Sequence, residues 1–249
     1  MIALISDVHG NLPALQAVLA DIDARADEAR IWCLGDTVGY GAHPAECIDL
    51  VRARCEVVIG GNHDLAAAGD DRAAERVVPG LWKGGPGAGI RHAIATIGDE
   101  RMAWLRSLEP SRLLDNVELH HGSDSNPVWE YVRTVETATA HLRLQQRELG
   151  AVGHTHMPLL WELAPGAAVA SGGLMPPDSR IVLERGVRRV FNPGSVGQPR
   201  DRDPRAAWAS LDRGTLTFHR TEYDVARARA DIAAAGLPQE SGDRLEIGW

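Results

Sequence analysis

Several apolar runs of this chain each stop at a glycine next to a side chain able to bind a metal, and this recurrence constrains the fold more than any other feature. Residues 2–5 lead into Ser6-Asp7-Val8-His9-Gly10-Asn11, residues 31–34 into Gly35-Asp36, and residues 57–59 into Gly60-Gly61-Asn62-His63-Asp64. Residues 117–119 lead into His120-His121-Gly122, and residues 149–152 into Gly153-His154-Thr155-His156. A turn explains any one of these endings, because Gly, Asn and Asp all favour turns. Their repetition asks for a common cause. In open α/β sheets, ligands bind beyond the carboxyl ends of the strands, so tips of this kind lying side by side would build one polar cluster.

The segments between the runs fit that arrangement. Leu12, Leu15, Val18, Leu19 and Ile22 recur at helical spacing, with Asn11 placed to cap and Pro13 in the first turn. A second helix is expected over 44–54, and the resulting β-α-β-α-β order implies parallel strands joined by crossover helices. Further helices are expected at 90–98, 100–108, 134–149 and 224–235, the last followed by a polar tail. Strands are expected at 159–163, 181–183, 187–191, 206–211 and 216–219, with a hairpin turn at Asp212-Arg213-Gly214. The Gly- and Pro-rich stretches 79–89 and 164–178 read as surface loops. Strands that must complete a sheet lie on both sides of these loops, so one domain over 1–249 is expected.

Bulk properties narrow the partners. A formal net charge of -8 opposes nonspecific binding to nucleic acid or anionic membrane, and no extended basic surface is visible, so no stable nucleic acid partner is expected. No segment reaches the roughly 18 apolar residues of a membrane span. The first apolar run is cut short by Ser6-Asp7, which argues against a signal peptide. Cys33, Cys47 and Cys55 form no paired framework, as reduced thiols in the cytoplasm would not.

On an extended segment, DxH (Asp7, His9) and HxH (His154, His156) each place two ligands on one face. Either motif alone is weak. Together, DxHGN, GDxxGYG, GNHD, HG and GHTH resemble the calcineurin-like metallophosphoesterase family, and in particular its bacterial single-domain branch. The resemblance runs from Asp7 to about Arg205 and takes in Trp129-Glu130-Tyr131 and the stretch 192–208. It implies a four-layer αββα sandwich of two mixed sheets flanked by helices, with two metal ions at the sheet edge. Carried over by position, Asp7, His9 and His156 would hold one ion, Asp36 would bridge both, and Asn62, His121 and His154 would hold the second. The family's HG pair selects His121, as does strand parity with Val117 and Leu119; His120 stays as the alternative.

The chemistry follows from the donors. A set of oxygens and nitrogens without thiolate suits Mn foremost, and also Fe, Zn, Co or Ni. Two carboxylates offset only part of the charge of two divalent ions, so an acidic chain would still have an anion-seeking pocket. Ions roughly 3.5 to 4 Å apart share a water and lower its pKa, which implies in-line attack of a bridging hydroxide on phosphorus. His63 is the candidate general acid, with Asp64 orienting it. Asn11 either caps its helix or contacts substrate phosphate. Arg200 is the candidate phosphate grip, with Arg202 and Arg205 in the same polar loop. Tyr40 and His43 are candidate pocket walls, and Trp129 belongs to a possible small helical lid within 123–147. The expected activity is metal-dependent hydrolysis of a phosphodiester or phosphomonoester, with a small-molecule or other phosphoester as substrate. A protein or dinucleotide-polyphosphate phosphatase is the alternative enzyme, and a noncatalytic metal-binding scaffold is the alternative of another class.

Overall fold

The computed structural model describes residues 1–70 and 84–249. In chain order its elements are β1 (Ile2–Ile5), α1 (Leu12–Arg25), β2 (Arg30–Cys33), α2 (Pro44–Arg54), β3 (Cys55–Val58) and α3 (Asn62–Ala68). Then follow α4 (Gly85–Thr96), α5 (Gly98–Arg106), β4 (Ser111–Leu113), β5 (Val117–His120), α6 (Val135–Leu144), β6 (Leu149–Val152), β7 (Pro158–Leu163) and β8 (Ser171–Leu174). The chain closes with β9 (Arg180–Val182), β10 (Arg188–Pro193), β11 (Ala206–Asp212), β12 (Thr215–Thr221), α7 (Val225–Ala234) and α8 (Gln239–Ile247).

Two mixed six-stranded sheets form, in the orders β3-β2-β1-β11-β12-β9 and β4-β5-β6-β10-β7-β8. Strands β1, β2 and β3 run parallel, as the β-α-β-α-β reading requires, while β11 joins β1 antiparallel with Leu4 opposite Ala209. In the second sheet β5, β6 and β10 run parallel, with Leu119 opposite Ala151 and Ala151 opposite Phe191. The carboxyl ends of two parallel triplets therefore stand at one edge of the sandwich.

Strand alternation explains the layering. Leu4, Trp32, Leu34 and Val57 of the first sheet face Val117, Leu119, Ala151, Leu160 and Phe191 of the second, forming the core between the sheets. Ala3, Ile5 and Cys33 point the other way, onto Leu15, Val18, Leu19 and Ile22 of α1 and Cys47 and Val51 of α2. Val152, Leu159 and Val190 on the outer face of the second sheet receive Ala138 and Leu142 of α6. These are the four expected layers. Among the described residues no helix is long and apolar enough to cross a membrane.

Several expectations need correction. Residues 62–68, where no helix is expected, form α3, begun by Gly61 in extended conformation and closed by the left-handed Gly69. Of the loop expected at 79–89, positions 79–83 lie outside the described residues, and from Gly85 the chain is helical, with Pro86 in the first turn where its missing N–H has no consequence. The loop expected at 164–178 contains strand β8, and the expected polar tail contains α8. Only Val135–Leu144 of the expected helix at 134–149 is helical, and it packs on the second sheet.

Phe191 is fully buried between the sheets, its ring edge-on to that of Phe218 at 6.4 Å. Phe191→Ala should lower unfolding stability in urea by about 3–5 kcal/mol. A loss below about 1 kcal/mol would mean that the two sheets do not close on this side chain.

Candidate metal centre

The polar tips do not continue as extended strand. Asp7, His9, Asp36, Tyr40, His154 and His156 all have φ between 50° and 66°, in the left-handed region that a side chain disfavours. The pairs Asp7/His9 and His154/His156 thus converge through tight turns, not by sharing one face of a strand as the DxH and HxH spacing predicts. The turns are stitched across tips: Asp7 N–H donates to Gly35 O, His9 N–H to Asp36 O and Gly10 N–H to Thr37 O, each at 2.9 Å. Gly61 is needed for close approach, since a Cβ there would lie 2.0 Å from Asp36 Oδ1.

These turns bring together two ligand sets, Asp7, His9, Asp36 and His156 in one and Asp36, His121 and His154 in the other, the donor atoms of each set within 4.8 Å of one another. Asp36 belongs to both. Its Oδ2 lies 3.6 Å from His9 Nε2 and 3.4 Å from His121 Nε2. His156 Nε2 lies 3.3 Å from Asp7 Oδ1, and Asn62 Oδ1 adds an oxygen 3.1 Å from His121 Nε2. All of these side chains are buried.

Hydrogen bonds from the far side of each ring fix which nitrogen faces inward. His9 Nδ1 meets Val38 O at 3.0 Å, His121 Nδ1 meets Leu34 O at 2.8 Å and His156 Nδ1 meets Gln198 O at 2.6 Å. A backbone carbonyl only accepts, so each Nδ1 carries a proton; the Nε2 atoms of His9 and His156 then offer lone pairs, while that of His121 does so once its second proton is lost. His154 is turned round: its Nε2 meets Trp129 O at 3.3 Å, leaving Nδ1 as the acceptor. His9 and His156 point Nε2 at Nε2 across 3.0 Å, and Asp7 Oδ1 is buried without a hydrogen bond. Facing lone pairs beside an unpartnered carboxylate oxygen fit a shared cation.

Burial holds the His9, His154 and His156 imidazoles well below their usual range, so they are neutral, as ligands must be. Burial alone would raise the Asp36 carboxyl, but the His121 and His63 imidazoles beside it hold it well below the usual carboxylate range. Burial works against a charged His121, yet Asp36 outweighs it and pushes that imidazole up to about 9.

The other candidates divide. His63 lies edge-on to His9 at 4.8 Å and beside Tyr40 at 4.9 Å, with Nδ1 buried and unpartnered. Asp64 does not pair with it. Its carboxylate accepts N–H groups from Thr37, Val38 and Gly61 at 3.2, 3.0 and 3.1 Å, clamping the β2 and β3 tips together. Asn11 caps α1 through Ala14 N–H and donates to Gly197 O and Tyr223 OH, so its amide is committed to the fold rather than free for substrate. Arg200 donates to Tyr40 OH and Gln198 Oε1, Arg205 pairs with Asp203, and Arg202 lies over Trp249. His43 pairs with Asp231 of α7 at 2.9 Å. His120 points away from the cluster, toward Glu118 and Asp124. Sequence reasoning missed Tyr131, whose ring stacks on His154 at 4.1 Å; its only signal was its place in Trp129-Glu130-Tyr131.

A divalent ion must displace the proton that His121 holds below about pH 9. In a calorimetric titration with Mn, affinity should therefore rise with pH by roughly tenfold per unit between 7 and 9 for that one proton. An affinity flat across this range would show that His121 gives up no proton to the ion between pH 7 and 9.

Comparison with known proteins accords with this geometry. Residues 1–214 match the family described as the calcineurin-like phosphoesterase superfamily domain. The whole chain is 33% identical to an uncharacterized protein of Methanocaldococcus jannaschii, 98% of which is covered. A crystal structure of a metallophosphoesterase from Sphaerobacter thermophilus superposes with a TM-score of 0.85 at 35% identity, covering 100% of this chain and 99% of that one. A symmetrical bis(5'-nucleosyl)-tetraphosphatase of Yersinia enterocolitica is 31% identical over 146 residues, 54% of this chain and 44% of that protein, so the match spans less than half of that relative. The chain belongs to the calcineurin-like phosphoesterase superfamily and is one of its phosphoester hydrolases.

Proposed function

We propose that the chain hydrolyses a phosphomonoester or phosphodiester with two divalent ions, Mn foremost. Asp7, His9 and His156 would hold one, Asn62, His121 and His154 the other, and Asp36 both. The membership of Asp36 in both ligand sets carries this reading. Bound ions at these donors would supply Lewis acidity and an acidified water for attack on phosphorus.

The chain's own groups supply the rest. Arg200 keeps a buried Nε without a partner, while Tyr40 OH and Gln198 Oε1 hold its Nη2, so donors on Nε and Nη1 remain for a phosphoryl oxygen. His63 is assigned as the acid that protonates the leaving oxygen. Burial lowers its pKa below the ordinary imidazole value, so its ring is uncharged in the free protein at neutral pH. An anionic phosphate beside the ring favours the imidazolium, so the acid form belongs to the substrate complex. Asp64 contributes by fixing the loop against which His63 packs, not by pairing with it. Gly39 sets the room for this ring, because a Cβ there would lie 2.2 Å from His63 Nδ1.

A dinucleoside polyphosphate is the second substrate reading, supported by the 31% identity to a symmetrical tetraphosphatase. A screen of bis-p-nitrophenyl phosphate, p-nitrophenyl phosphate and dinucleoside tetraphosphate with Mn would rank the three classes. No turnover of any under any divalent ion would leave the scaffold alternative standing.

An acid is needed most where the leaving group is poor. His63→Ala should cut kcat by roughly 10² to 10⁴ on an alkyl phosphate ester, much less on the p-nitrophenyl ester, with bound metal unchanged. Gly39→Ala should resemble it by displacing the ring. Equal losses on both esters would remove His63 from the proton-transfer role.

A further inference from the structure

The geometry points to a separate divalent-cation site, zinc-like in preference, formed by Glu118 and His120 of β5 with Asp124 of the turn that follows. Alternation along β5 sends Val117 and Leu119 into the core between the sheets, and Glu118 and His120 to the outer face beside α6. His120 Nε2 lies 3.6 Å from Glu118 Oε1 and 3.7 Å from Asp124 Oδ2, and the three donor atoms lie within 4.8 Å of one another. Those spacings are long for hydrogen bonds. They are near the edge of about 3.4 Å that a tetrahedron of roughly 2.1 Å bonds would have.

The unpartnered atoms converge on the same point. Glu118 is 2% exposed, and its Oε1 makes no hydrogen bond; neither ring nitrogen of His120 makes one either. Glu118 is not loosely placed, because its Oε2 accepts the Gln146 and Arg147 N–H groups at 2.7 and 3.3 Å, which aims Oε1 at His120. Asp124 is held through its own N–H, which donates to His141 Nδ1 at 3.0 Å. That bond makes Nδ1 of His141 an acceptor, and burial lowers its pKa to about 4, so the ring edge-on to His120 is neutral and does not repel a cation. Partial exposure of the His120 and Asp124 side chains, 12% and 23%, leaves an entry path and room for water as a fourth ligand. One imidazole and two carboxylates suit Zn better than Ca or Mg, which take oxygen cages.

The ion would have a structural task. The turn bearing Asp124 continues to Trp129, whose carbonyl meets His154 Nε2, and to Tyr131, whose ring covers His154. An ion between β5 and this turn would fasten that wall of the main centre without touching its ligands. The competing arrangement has no metal: a charged His120 imidazolium paired with both carboxylates.

Metal-stripped full-length protein, dialysed against Zn and analysed for zinc per chain, separates the two. Asp124→Asn and Glu118→Gln should each bind one equivalent less than wild type, whatever the total at the main centre. Asp36→Ala should keep the equivalent that the added Asp124→Asn removes. If Asp124→Asn and Glu118→Gln, folded by circular dichroism, bind as much zinc as wild type, the site is refuted and the imidazolium pair stands. Because the readout is a difference at residues outside the main centre, its outcome is independent of how many ions that centre holds.

Discussion

Asp7, His9, Asp36, His154 and His156 stand on left-handed backbone, which disfavours a residue with a side chain by about 1–3 kcal/mol each. Together this amounts to roughly 5–15 kcal/mol, comparable to the net stability of a whole domain. The strain is sustained because the surrounding structure leaves no alternative. Tips β1 and β2 are tied by backbone hydrogen bonds from Asp7, His9 and Gly10, and the strands behind them are fixed by a core that fills both faces of the first sheet. A cation that binds the folded cluster and not the unfolded chain returns stability to the same place. The left-handed turns are thus the condition under which groups from two sheets can share one carboxylate.

Charge in the cluster follows from the same crowding. Burial alone would keep both Asp7 and Asp36 protonated, and it does raise Asp7, but the imidazoles around Asp36 keep that residue ionised. The carboxylate common to both candidate sets is therefore the one that is already negative before any cation arrives. The chain's net charge of -8 does not describe this site, where Arg200 and His121 are the local positive groups. Asp64 shows how residue type can mislead in such surroundings. A carboxylate next to a histidine invites an acid–base pair, but here three backbone N–H groups from two tips converge on it, and they align better than the neighbouring ring.

The parts of the fold legible in the sequence were those where burial imposes a period. Leu15, Val18, Leu19 and Ile22 announce α1, and the β-branched and apolar runs announce β1 to β3, because each packs against a continuous core. Strand β8 gave no such signal, since its centre is Gly172-Gly173, with no side chains to alternate, and it pairs on the edge beside β7. Helix α8 was hidden for a different reason: its sequence is polar, and it is held partly by Leu245 against Ile232 and Leu237 and partly by Arg229 reaching Asp243 from α7. The residues of the buried cluster were legible as types at strand ends, but the reason they converge was not, because period-two alternation describes extended backbone and the tips are not extended.

His120 and His121 show where alternation does hold. Up to His120 the chain is still strand, so adjacent histidines emerge on opposite faces of the second sheet: His121 toward Leu34 O and Asp36, His120 toward Glu118 and Asp124. Of the two, His121 alone is directed toward the main cluster. It also follows that β5 joins two polar clusters through one peptide unit. The backbone leaves His121 and reaches Asp124 within three residues, then turns back through Trp129 and Tyr131 onto His154. The outer cluster and His154 are thus joined by a short run of hydrogen-bonded turns, with Gly122 N–H on Pro127 O and Ser123 N–H on Asn126 O closing the loop. The wall that a substrate would meet beside His154 is set by how β5 ends, and β5 ends where its two histidines part.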